Sequence, residues 1–177
     1  MFEDYIEDAC HFASEAGKAP DDRQACRDYR AAVFYALGAV EAFINFIADT
    51  FAQDDGWPAF EVAFLSDKRF GTDKGSFKVL DQIEYHRLEE KLRYLIWKFD
   101  PSFDFNLNAA WCQLLEFKEM RDTITHPRQD KEELRPEDYQ KQVKTGISAV
   151  FTIVDHLCVG IFKRHLRKQL TDLRPSL

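Results

Sequence analysis

The chain has 177 residues, 45% of them hydrophobic, with 16 phenylalanines, which is enough apolar material for a substantial core in one domain spanning 1–177. A formal net charge of -7 argues against broad, sequence-independent binding of nucleic acid through overall charge. Only 7 glycines and 6 prolines occur, and no linker, repeat or low-complexity tract interrupts the pattern.

The first predicted element is a helix from Asp4 to Ala16, stopped by Gly17 and Pro20. Its opening, MFEDYIEDAC, is acidic and does not read as a signal peptide. A long helix is predicted over about 32–52, because Val33, Leu37, Val40, Ile44, Ile47 and Phe51 recur at alternating intervals of four and three. Glu41 and Asn45 lie one turn apart beside that stripe. They read either as a pair that reaches Arg121 and orders it or as a buried polar pair that fixes helix register.

Gly71 to Ser76 reads as a loop, with Ser76 free to cap the next element. This glycine- and lysine-containing stretch lacks the GK[ST] of a phosphate loop. Strand signals are weak, since apolar and polar residues do not alternate for long. Leu88, Leu92, Leu95 and Phe99 form a helical stripe that ends at Asp100-Pro101. The charges around it, with His86, Glu89, Glu90, Lys91 and Arg93, read as a solvated face. Ala110, Leu114, Phe117, Arg121 and Ile124 form the next stripe. A last long helix is predicted over about 136–169, with Pro136, Glu137 and Asp138 suited to its first turn. The fold expectation is all-α: an up-and-down helical bundle with two long helices and short accessory ones.

Charge is uneven along the chain. Residues 1–30 hold eight acids against four bases, and residues 141–177 hold seven bases against two acids. Such ends suit a subunit interface, a polyanion or merely solvated helix faces. The basic run FKRHLRK, Phe162 to Lys168, suits an RNA contact or cations at a helix C-terminus. The apolar tracts carry Glu41, Asn45 and Asp49, or Asp155 and His156, which a membrane span tolerates poorly. Cys10, Cys26, Cys112 and Cys158 show no CxxC or zinc spacing, and Cys112 reads as a buried thiol. The expected compartment is the cytoplasm, with reduced thiols and no membrane partner.

The stretch FKEMRDTITHPRQD, Phe117 to Asp130, breaks the helical pattern. Helical phase carries Arg121 onto the stripe of Leu114, Phe117 and Ile124, where a guanidinium requires an anionic partner or water. Pro127 drives His126 out of the helix, so an imidazole stands where the helix unwinds. Asp122, one turn before His126, is placed to fix its tautomer. No metal is expected, since no Glu-x-x-His occurs and the Asp122–His126 spacing has no second histidine to complete a site.

RDTITH resembles the arginine–polar–three–histidine motif of the HEPN superfamily (higher eukaryotes and prokaryotes nucleotide-binding), helical bundles that carry it near the end of a late helix, before a final long one. EAFIN, Glu41 to Asn45, is also similar to members of that superfamily. The resemblance implies a metal-independent endoribonuclease without a cofactor, acting on RNA as a homodimer, of the toxin or phage-defence kind. In it the 2′-hydroxyl attacks the adjacent phosphate, Arg121 holds the phosphoryl charge, His126 moves protons, and Asp122, Glu41 and Asn45 support them. The alternative is an inactive HEPN-like interaction or RNA-binding module. HEPN toxins paired with nucleotidyltransferase antitoxins often have a tyrosine two residues after the histidine. Here that residue is Arg128, which suits a phosphate contact and puts that antitoxin type in doubt, leaving another antitoxin or a regulatory protein as the partner.

Overall fold

The computed structural model describes residues 1–54, 56–127 and 134–175. In chain order the elements are α1 (Phe2–Ala16), α2 (Asp22–Ala52), α3 (Ala59–Leu65), β1 (Lys68–Asp73), β2 (Ser76–Ile83), α4 (Leu88–Phe99), α5 (Ala109–Thr125), α6 (Pro136–Phe162) and α7 (Lys168–Thr171). The protein is thus mostly helical, and the expectation of an all-α chain is corrected by a two-stranded antiparallel sheet. Two compact units form: one from Met1–Val40 and Ser102–Leu177, the other from Glu41–Pro101.

In the first unit, α1, the start of α2, α5, α6 and α7 supply the core. Val33 and Leu37 of α2 and Val143, Ile147, Val150, Val154 and Leu157 of α6 are buried, as their spacing predicts. The second helix begins ten residues before the expected start. Ala25, Tyr29, Ala32 and Ala36 continue the stripe with smaller or partly polar side chains, which hid it from a search for large apolar residues. Asp21 caps this start, its Oδ1 accepting the Gln24 amide at 2.8 Å. Tyr29 stacks on Tyr139 with ring centres 6.1 Å apart. The α5 and α6 helices pack closely because α6 has a glycine, Gly146, opposite Phe117; a methyl group there would overlap the ring.

The last long helix ends at Phe162, short of the expected 169, because Lys163 adopts a left-handed conformation at φ 56°. Beyond it the chain turns back along α6. Asp155 accepts the Leu166 amide at 2.8 Å and faces His165 Nδ1 at 2.9 Å, while Arg174 reaches Ser148 Oγ at 2.9 Å and Thr152 Oγ1 at 2.7 Å. The acidic and basic ends also meet within one chain: Arg167 Nε donates to Glu3 Oε1 at 3.0 Å. The basic run is therefore a turn and a return segment, and Phe162 and Leu166 do not share a helix.

In the second unit the stripe of α2 continues through buried Phe43, Ile44, Ile47 and Phe51, Leu92, Leu95 and Ile96 of α4 are buried as well, and Phe51 faces Phe99 of α4 with ring centres 6.1 Å apart. Trp57 stacks on Phe51 with ring centres 3.5 Å apart, and Lys98, paired with Glu61, stands 4.4 Å over the Trp57 ring. Gly71–Ser76 is the middle of a β-hairpin, with Asp73 opposite Ser76 and a two-residue turn of Lys74 (φ 49°) and Gly75 (φ 86°). Two consecutive positive φ values suit the twist of paired strands, so Ser76 opens β2 and caps no helix. The strands expose most of both faces, which is why no apolar alternation marked them. Phe77 nevertheless packs at 4.6 Å from Phe60.

The expected face of i,i+4 pairs on α4 holds for Arg93, whose Nε donates to Glu89 Oε1 at 3.1 Å, but not for Lys91. Lys91 is buried, its side chain 7% exposed, and its ammonium meets Asp67 Oδ2 at 2.7 Å. His86 precedes the helix and packs its ring 4.6 Å from Phe64. Among the described residues, α2 and α6 are long and apolar enough to cross a bilayer by length and composition, with 56% of each apolar window buried inside the protein.

Candidate functional site at the end of α5

Asn108 starts α5 by accepting the Trp111 amide at 2.9 Å. The helix then buries Trp111, Leu114, Phe117 and Met120. These intervals of three rotate the buried face away from the stripe read from the sequence. Arg121 therefore stands at the flank, with 23% of its side chain exposed. Its neighbour is an anionic partner: Asp122 Oδ1 accepts from Arg121 Nε at 3.2 Å and Nη2 at 3.0 Å.

Lys118 completes the group from one turn earlier, its Nζ donating to Asp122 Oδ2 at 2.9 Å. Burial acts against the Asp122 charge, but the hydrogen bonds and charges of Lys118 and Arg121 outweigh it and hold the carboxyl below the usual carboxylate range. Asp122 is thereby occupied by two cations. Asp122 and His126 are joined through the main chain, the His126 amide donating to the Asp122 carbonyl at 2.9 Å.

His126 is the C-terminal cap of α5, at φ -125° and ψ 69°, outside the helical region as the following proline dictates. Thr125 turns its hydroxyl back to the Arg121 carbonyl at 2.9 Å, closing the last turn. The His126 imidazole and Pro127 are exposed to solvent. The exposed imidazole thus follows half-buried Arg121 by about one and a half helical turns and half-buried Lys118 by about two.

Glu41 and Asn45 belong to the second unit and are both exposed, so they are not a buried polar pair. Arg128 lies outside the described residues. Cys112, read as buried, is exposed on α5, while Cys158 is buried. Lys118 was missed as a member of the site, although its spacing of four from Asp122 was readable. Among the described residues, no group of three histidine, cysteine or carboxylate side chains is gathered to hold a metal ion.

No protein-family model, curated protein or solved structure matches the chain.

Proposed function

We propose that the chain is a HEPN-like endoribonuclease of the cytoplasm that works as a homodimer, with Arg121 and His126 of each subunit at the reaction centre. The observation that carries this reading is the His126 imidazole, exposed to solvent at the end of α5 and five residues beyond a half-buried arginine. RNA supplies its own nucleophile. The 2′-oxygen forms a bond to the adjacent phosphorus, the bond to the 5′-oxygen breaks, and a cyclic phosphate and a free 5′-hydroxyl result. One imidazole takes the 2′ proton and the second, from the other subunit, gives one to the leaving oxygen. The guanidinium stabilises the phosphoryl charge as it builds.

A second reading has its own observation. Asp122 already engages Arg121 through Nε and Nη2, which suits a HEPN-like module that binds RNA or protein without turnover. Digestion of RNA in EDTA by the wild type and by His126→Ala separates the two. Cleavage by the wild type and a fall of at least a hundredfold in the variant is expected for the enzyme. Equal cleavage by both, or none by either across varied substrates, removes it.

A further inference from the structure

Arg23, Arg27 and Arg30 follow one another at intervals of four and three near the start of α2. At about 100° per residue they fall within about 60° of one another on one helix face, with rises of about 6 Å and 4.5 Å between them. With Asp21 and Gln24 they line a groove of about 360 Å³. Arg23 and Arg27 are exposed and Arg30 half-buried.

The acids of this stretch balance the three charges in number yet not in place. Asp21 is spent on capping the Gln24 amide. Asp28 is buried on a different face, and both its oxygens accept from Gln24 Nε2 at 2.8 Å. Asp22 points about 100° away from Arg23. Among the described residues, none of the three guanidiniums has a carboxylate partner. Like charges at helical spacings of three and four repel, and cations near a helix N-terminus oppose the dipole. An arrangement that costs stability in two ways, around a concave surface, is suited to an external anion.

We propose that this groove binds the phosphodiester backbone of single-stranded RNA, each guanidinium offering a fork of donors to a phosphate. It rests on the ribonuclease reading and extends it, since it supplies a path for the strand beyond the cleaved bond. Cys26, on the same turns of α2, has its Sγ 3.8 Å from the Leu134 carbonyl. Leu134 follows His126 by eight residues, which limits their separation to about 28 Å, within reach of a short oligonucleotide. A row of charges along a helix fits a repeating backbone better than a lone phosphate group.

The test is fluorescence polarisation with a labelled single-stranded RNA of about 12 nucleotides, over a salt series, in the His126→Ala background. The full chain is compared with one also carrying Arg23→Gln, Arg27→Gln and Arg30→Gln, and with the matching three lysine substitutions. Loss of three phosphate contacts is expected to weaken binding at least tenfold and to make the log–log salt slope shallower by about 2 in the glutamine variant. The lysine variant is expected to keep most of that slope. Unchanged affinity and slope in the glutamine variant overturn the proposal, as does tighter binding of a phosphopeptide than of RNA. Loss of RNA binding with no nuclease activity in the wild type keeps the groove and removes the ribonuclease reading. An active ribonuclease whose glutamine variant binds undiminished does the reverse.

Discussion

Gly146 of α6 lies so close to the Phe117 ring of α5 that the two helices leave no space for a methyl group between them. Phe117 is 2% exposed and cannot swing into solvent. Replacing a helical glycine by alanine ordinarily gains about 0.5–1 kcal/mol. Here overpacking, at about 1–3 kcal/mol, outweighs the gain. Gly146→Ala is expected to lower stability in urea by about 1–2 kcal/mol. Greater stability of the variant would show that the helices are not so closely packed.

Asp122 links acidity to the end of α5. Its folded pKa is lowered, so its contribution is complete above the unfolded value of about 4 and fades as pH falls through the folded one. With 44% of the side chain exposed, the effect is screened and amounts to a few tenths of a kcal/mol. Asp122→Asn is expected to flatten the fall in melting temperature between pH 6 and pH 3 while slightly lowering the value at pH 7. An unaltered pH profile would remove Asp122 as the acid-sensitive group.

The Lys91–Asp67 pair makes an asymmetric prediction. Asp67 also accepts the His86 amide at 2.8 Å, so Asp67→Ala strands both a buried ammonium and a main-chain donor. A loss of about 3–5 kcal/mol is expected. Lys91→Met removes the buried charge itself and should cost clearly less. Chemical denaturation of both variants decides it, and equal costs would contradict the asymmetry.

The hairpin turn depends on backbone freedom. Gly75→Ala places a side chain at φ 86° and is expected to cost about 1 kcal/mol or more, whereas Lys74→Asn, at φ 49°, should be tolerated or slightly favourable. Amide exchange of β1 and β2 is the direct readout, with faster exchange expected only in the Gly75 variant.

Thiol chemistry discriminates between the cysteines. Burial pushes the Cys158 thiol up to about 11 with help from Asp155, and the Cys10 thiol up to about 11 with help from Glu7. Cys112 is exposed. Iodoacetamide at pH 8, followed by peptide mass spectrometry, should modify Cys112 well before Cys10 or Cys158. Modification of Cys158 first would contradict its burial.

The long helices were readable because Val, Leu and Ile repeat at helical intervals, and their stripes are buried where the spacing puts them. The beginning of α2 was not, since alanines and Tyr29 continue its buried face without large aliphatics. The hairpin escaped because an exposed sheet needs no alternation, and its turn is set by main-chain angles at Lys74 and Gly75. At the site, proline placed His126 outside the helix from sequence alone. The pairing of Arg121 with Asp122 was harder, because adjacent helical residues do not ordinarily face each other and the guanidinium reaches Asp122 sideways. Burial of Lys91 was hidden by its charged neighbours, and only the distant Asp67 explains it.

The segment after Lys163 runs back along α6, touching it first at Asp155 and then, at Arg174, one and two turns nearer its start. Tension applied to the C-terminal end loads these attachments in series, with Arg174 bearing the force first. A pull in that direction therefore peels the segment from the helix contact by contact at low force. The same pull applied across α5 and α6 must shear a packed interface all at once.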